Sequence, residues 1–299
     1  MIDKLGTETR NEKTMDLDEM STRSFLETMN DEDQKVSLAV RDELQSIEQV
    51  VEAVARVFNH GGRLIYLGAG TSGRLGILDA VECVPTFGTN PEMVVGLIAG
   101  GDKAIKDAVE GAEDSLLMAK EDLMNIQLTQ EDIVIGIAAS GRTPYVIGGL
   151  NYAQHIGALT AAISCNKNSE IANNTNYAIE VCVGPEVITG STRLKSGTAQ
   201  KMILNMITTG AMIAIGKSYG NLMVDVKPTN EKLIERSKHI IRQATGVSYE
   251  IASDFYKKSN SKPKNAIVMI KTRCTFEESV KRLKLGNDFV KCAIEYEDI

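Results

Sequence analysis

Histidine is nearly missing from this 299-residue chain. Only His60, His155 and His239 occur, far apart, so a metal centre has poor raw material, and each reads as a surface or helix-end residue. No basic run is longer than a pair such as Lys257-Lys258, and the formal net charge is −7. That excludes nucleic acid and anionic membrane surfaces as expected partners, because both are bound mainly through clustered lysine and arginine. No apolar run approaches the roughly 18 residues that cross a bilayer. The opening MIDKLGTETR is not a positively charged start leading into an apolar stretch, so the cytoplasm is the expected location. Cys83, Cys165, Cys182, Cys274 and Cys292 form neither a CxxC nor an even framework, which fits a reducing compartment. What is present is a chain 43% hydrophobic and 24% charged, enough for one large domain with a small one.

The order of elements follows from periodicity. The first ~30 residues are polar, lack a sustained period and read as an arm laid over something else. From 36 to 58 apolar residues recur at spacings of three and four, predicting one long amphipathic helix that His60-Gly61-Gly62 ends. Five short apolar runs, at 63–67, 93–98, 133–138, 158–164 and 177–183, fit strands buried on both faces. Helical patterns lie between them, at 102–126 and at 144–155 behind Pro144, and another spans about 192–218. Such alternation predicts an α/β fold with a parallel sheet and right-handed crossovers. Composition shifts at NLMVDVKPTN (221–230). The expected division is an arm over 1–35, an α/β domain over 36–225 and a small helical domain over 226–299. In the last, 266–270 reads equally as strand or buried helix.

The stretch LGAGTSGRLG (67–76) matches G-x-G-x-x-G through Gly68, Gly70 and Gly73. It could hold a dinucleotide, hold a single phosphate, or make a tight turn with no ligand. A dinucleotide site wants an acid ending the second strand, but that strand ends Ile98-Ala99-Gly100-Gly101 and Asp102 reads as a helix cap. A second strand end, AASGRT (138–143), likewise delivers small hydroxyl residues into a helix N-terminus. Helix N-termini bind anions through free backbone N–H groups, and small residues let a phosphate approach. Gly70, Thr71, Ser72, Gly73, Ser140, Gly141 and Thr143 are therefore the candidate phosphosugar contacts. Arg74 and Arg142 follow the two loops and could pair with substrate anions or make structural ion pairs. Met202, Met206 and Met212 read as packing residues.

The blocks GGRLIYLGAGTSGRLGILDAVECVPTFG (61–88), VEGAEDS (109–115), GIAASGRTPYV (136–146), TGSTRLKSGTAQK (189–201) and NLMVDVKPTNEKL (221–233), in this order and spacing, resemble the N-acetylmuramic acid 6-phosphate etherase family of the sugar isomerase (SIS) superfamily. The resemblance implies a flavodoxin-like SIS domain with a five-stranded parallel sheet flanked by helices, a small all-helical C-terminal domain like a ubiquitin-associated fold, and a homodimer. It also implies a phosphorylated amino sugar as substrate and a reaction that removes D-lactate to leave N-acetylglucosamine 6-phosphate. In the open-chain sugar the C3 ether oxygen is β to the C1 aldehyde, so the C2 proton is acidic. A base takes that proton, an acid protonates the departing lactyl oxygen, and water adds at C3. Two carboxyl groups with separated pKa values suffice, without metal or organic cofactor.

Glu82 and Glu113 match the family's catalytic positions. The resemblance makes Glu82 the acid at the leaving oxygen and Glu113 its acid/base partner. The segment 190–201 brings Ser191, Thr192, Arg193, Lys195 and Gln200 to a helix start, where it is expected to complete the sugar site, across a dimer interface if the site is shared. In GILDAVECVP (76–85) Glu82 and Asp79 are the only charges of an apolar run, and desolvation there would raise the pKa of Glu82 as a general acid needs. By residues alone Glu82 is as readily a helix-surface acid, and Glu113, beside Glu110 and Asp114, more readily so. A sugar-phosphate isomerase would share the loops, and a phosphosugar-binding regulator resembling the glucokinase regulatory protein would need no catalysis. A DNA-binding regulator would need a basic face that the acidic stretch 16–33 does not supply.

Overall fold

The computed structural model describes residues 5–173, 175–228 and 230–296; the start MID and Lys4 and the boundary residue Thr229 read above lie outside them. Contacts divide the chain into two compact units, 1–80 with 92–208 and 81–91 with 209–299. Among the described residues no helix is long and apolar enough to cross a membrane.

The first unit is built on five parallel strands, β1 (Leu64–Gly68), β2 (Val94–Ile98), β3 (Ile133–Ile137), β4 (Leu159–Ser164) and β5 (Tyr177–Glu180), in the order β2-β1-β3-β4-β5. All five residues of β1 and of β3 are buried, as a sheet covered on both faces requires. Helices α1 (Thr22–Asp42), α2 (Leu44–Asn59), α3 (Gly70–Phe87), α4 (Lys103–Lys106), α5 (Met118–Asn125), α6 (Pro144–Ile156) and α7 (Lys195–Ala214) connect and flank the strands, α3 from Val81 and α7 from Thr209 being counted in the second unit. One core gathers Ile65, Leu67, Leu123, Val134, Val146 and Leu150 between the sheet and α5 and α6. On the α3 side the helix backbone lies directly on the sheet. A Cβ at Gly96 would meet Ile77 Cα at 2.6 Å, so β2 admits α3 only with glycine there.

Three elements differ from their sequence patterns. Helix α1 starts at Thr22, where Ser21 Oγ accepts from Ser24 N–H, well inside the polar segment; the chain leaves helical geometry at Glu43 (φ −99°, ψ 6°), so the expected 36–58 helix is two. The pattern 102–126 is also broken. Helix α4 ends at Asp107, whose backbone is extended, Gly111 takes φ +73°, and residues 107–117 run as loop before α5. Helix α7 is shorter than the expected 192–218: Glu186 caps its start at Lys195, and Gly216 with φ +81° lies just past its end.

The second unit is helical: α8 (Glu231–Thr245), α9 (Tyr249–Lys258), α10 (Pro263–Thr272), α11 (Phe276–Leu285) and α12 (Val290–Glu295). The ambiguous run 266–270 is the buried centre of α10, which opens with Pro263 at its first turn. Asn230, Ser248 and Thr275 cap α8, α9 and α11 with side-chain oxygens, and Gly246 ends α8 with φ +80°. Val224, Ile241, Ala252, Ile267, Val268 and Leu283 form its core.

Candidate active site

In the order β2-β1-β3-β4-β5 the chain leaves β1 toward one edge and β3 toward the other. A crevice opens outside the carboxyl ends of adjacent strands at such a switch point, the usual ligand position of doubly wound sheets. Both glycine-containing loops arrive there.

In the first loop β1 ends at Gly68 and α3 begins at Gly70. Gly68 and Gly73 serve packing: a Cβ on Gly68 would stand 2.7 Å from Gly73 N, and one on Gly73 would stand 2.6 Å from Ile98 Cγ1. Gly70, with φ +52° and open space around it, starts the helix whose first-turn N–H groups at Gly70, Thr71 and Ser72 have no intrahelical acceptor. Such amides, with the helix dipole, are suited to an anion. The hydroxyls are less free than the sequence suggests. Ser72 is buried and donates to Gln200 Oε1 at 2.9 Å, and Thr71 Cγ2 lies 3.4 Å from the place a Cβ on Gly197 would take, against the start of α7.

In the second loop Gly141 makes the turn with φ +75°, its N–H donating to Ala138 O at 3.0 Å, and Ser169 leaves no space for a Cβ there. Ser140 Oγ accepts from Arg142 N–H at 3.3 Å, so the hydroxyl proton remains to be donated. Thr143 precedes Pro144 at the start of α6 and makes no side-chain cap bond.

Two hollows lie over these loops. One, of about 240 Å³, is lined by Gly70, Arg74, Ala99, Glu110 and Glu113, and the other, of about 460 Å³, by Glu8, Glu113, Ser140, Arg142 and Thr143. Glu113 alone of the expected site residues faces both. Its loop is held by its own backbone, Tyr145 N–H donating to Glu113 O at 2.9 Å, which ties the carboxylate's position to the first turn of α6. Arg74 spends its guanidinium on Ile105 O and Asp107 O at 2.9 and 3.2 Å, buttressing that same loop. Arg142 lines the larger hollow and is exposed, with Nε 4.0 Å from Glu170 Oε2 in a loose ion pair.

Two expected residues lie elsewhere. Lys195 is buried, with Nζ 2.7 Å from Glu32 Oε2. Burial pushes the Glu32 carboxyl up, but hydrogen bonds from Lys195 and Lys35, and then their charges, outweigh it and hold it at about 2. Beside it Glu186 caps α7, its Oε2 accepting from Lys195 N–H at 3.0 Å and its Oε1 from the N–H and hydroxyl of Ser196 at 2.9 Å. The start of α7 is thus filled by the protein's own carboxylate. Glu82 is exposed rather than desolvated, and it falls in the second unit. The buried acid of that run is Asp79: burial raises its pKa, while hydrogen bonds from Asn205, Tyr66 and Thr208 pull it back.

Glu8, Glu32 and Glu186 escaped the sequence reading, and Gln200, expected at the sugar site, is bonded to Ser72 instead. Each of the three glutamates acts on residues more than a hundred positions away, or in the case of Glu186 across a turn, so neither periodicity nor a local motif marks it.

Residues 46–154 match the glucokinase regulatory protein N-terminal SIS domain family and residues 116–210 match the SIS domain family. N-acetylmuramic acid 6-phosphate etherase 2 of Enterococcus faecalis is 63% identical over 97% of this chain and 98% of its own length. N-acetylmuramic acid 6-phosphate etherase of Bacillus cereus is 60% identical over 98% of this chain and 100% of its own. With an SIS sheet, two glycine-containing loops at the switch point and relatives at this identity over nearly the full length, the chain belongs to the N-acetylmuramic acid 6-phosphate etherase family.

Proposed function

We propose that this protein is a carbon–oxygen lyase that cleaves the D-lactyl ether of N-acetylmuramic acid 6-phosphate in the cytoplasm, giving N-acetylglucosamine 6-phosphate and D-lactate during recycling of cell-wall amino sugars. The observation that carries the reading is Glu113 as the shared wall of two hollows, one over each phosphate loop. The phosphate lies at the first-turn amides of α3 and at Ser140 and Thr143, and the sugar extends past Glu113. A base removes the C2 proton, an acid protonates the lactyl oxygen as the C3–O bond breaks, and water adds to the C2–C3 double bond at C3. Glu113 and Glu82 fill these two roles.

Glu82 reaches the reaction in a homodimer. Leu78 and Val81, 50% and 60% exposed, share its face of α3 at helical spacing. A second copy covering that face would take Glu82 out of water, the setting a general acid needs, and would bring it to the partner's hollow. The buried Lys195–Glu32 pair makes Lys195 a brace for the α7 start rather than a contact with substrate. Incubation with N-acetylmuramic acid 6-phosphate in D₂O and H₂¹⁸O, read by mass spectrometry, tests the reading. Lactate release with deuterium at C2 and ¹⁸O at C3 is expected; tight sugar-phosphate binding without lactate would make the protein a sensor. Glu113→Gln and Glu82→Gln, both at exposed positions, should each lower the rate by about 10²–10⁴ with folding unchanged.

A further inference from the structure

The polar N-terminal segment forms part of the wall of the larger hollow, where Glu8 stands with Glu113, Ser140, Arg142 and Thr143. We propose that the Glu8 carboxylate binds the hydroxyl-bearing middle of the sugar phosphate, a role that rests on the reading given under Proposed function.

The segment is anchored, not draped. Asn166 Nδ2 donates to Thr7 Oγ1 at 3.2 Å and also to Ala139 O and Ser140 O at 3.1 and 3.3 Å, so one buried amide joins the residue before Glu8 to the second phosphate loop. Thr7 is buried at 1% exposure. Further along, Asn11 Nδ2 donates to Pro185 O and Thr14 Oγ1 to Val187 O, at 3.3 and 2.9 Å. Within the turn, Glu8 N–H donates to Leu5 O at 2.9 Å. These bonds hold Glu8 at the hollow from both sides, while its own side chain is only half-buried.

Charge decides what Glu8 can touch. An ionised carboxylate only accepts hydrogen bonds and repels other anions, so it faces neither the phosphate nor the lactyl carboxylate. Between those two anionic ends an open-chain amino sugar offers hydroxyl and acetamido N–H donors. With Arg142 and the loop amides attracting the anionic ends and Glu8 accepting from the donors between, the hollow discriminates a sugar phosphate from a plain phosphate.

The test uses full-length protein, wild type beside Glu8→Ala and Glu8→Gln, with calorimetric binding of N-acetylglucosamine 6-phosphate and of inorganic phosphate, and lactate release from N-acetylmuramic acid 6-phosphate. Glu8→Ala should weaken sugar-phosphate binding about tenfold or more and raise KM in step with a smaller change in kcat, while inorganic phosphate binds as tightly or more tightly. Glu8→Gln, which keeps the length and one acceptor oxygen, should recover part of the loss. Unchanged sugar-phosphate affinity in both variants overturns the proposal, and so does an equal loss of both ligands, which would mark the segment as a brace. If sugar-phosphate binding depends on Glu8 while the wild type releases no lactate, the etherase reading falls and the assignment of Glu8 stands.

Discussion

Lys195 and Glu32 keep only 2% and 3% of their side-chain surface, and their 2.7 Å contact joins α1 to the start of α7. In the linear chain Lys195 sits among small hydroxyl residues, the company of an anion-binding cation, and its partner is 163 residues away. Lys195→Ala would take from the buried Glu32 the cation on Oε2 and leave it only Lys35 and the more distant Lys13 at Oε1, and a loss of about 3 kcal/mol is expected in urea unfolding; a Lys195→Met, Glu32→Leu pair should recover much of it. The pair also sets an acid limit. The Glu32 carboxyl is held at about 2 against an ordinary 4.5, so its contribution is complete above about 4.5 and drains as pH falls toward about 2. Urea midpoints measured across that window should fall in the wild type, and the fall should be shallower in the double variant. Glu113 and Ser72 teach the same point from opposite sides. A glutamate that looked like part of an acidic helix face stands at two hollows, and a serine that looked free is bound to Gln200.

The loop 107–117 decides the site at the scale of elements. Its apolar residues recur as a helix's do, yet the extended backbone at Asp107 and the positive φ of Gly111 unwind it, and α6 then fixes its course. A Cβ on Gly148 would lie 1.9 Å from Leu116 O, so α6 and this loop pack backbone to backbone. Gly148→Ala must therefore push the loop outward. Stability should fall by about 1–3 kcal/mol, and kcat should fall further than stability explains because Glu113 moves with the loop. An active, fully stable Gly148→Ala protein would show that the loop is not held by this contact. A second element-level expectation concerns the α7 cap: Glu186→Ala leaves buried N–H groups without acceptors and should cost about 2–3 kcal/mol in the same unfolding measurement.

At the scale of the whole molecule the proposed homodimer has a test that needs no structure. If Glu82 serves the partner's hollow, mixing the inactive Glu82→Gln and Glu113→Gln proteins under conditions that exchange subunits should restore about a quarter of wild-type lactate release, since each hybrid regains one intact site. No recovery, with hybrids verified by mass, would place both glutamates in one chain's site.

The strands, the glycine turns, most helix ends and the helical C-terminal unit were readable in the amino-acid order, because apolar periodicity, proline at first turns and glycine at positive φ are local properties. The family blocks were readable for the same reason: a loop that packs strand against helix through Gly68 and Gly73 has few alternatives. What only the tertiary structure decided is where charge goes. Whether Lys195 meets substrate or Glu32, whether a helix start holds a phosphate or Glu186, and whether the polar N-terminal segment is loose or part of the site wall depend on partners brought together by the sheet's switch point. The interaction of two charges depends on their separation and burial, not on their spacing in sequence.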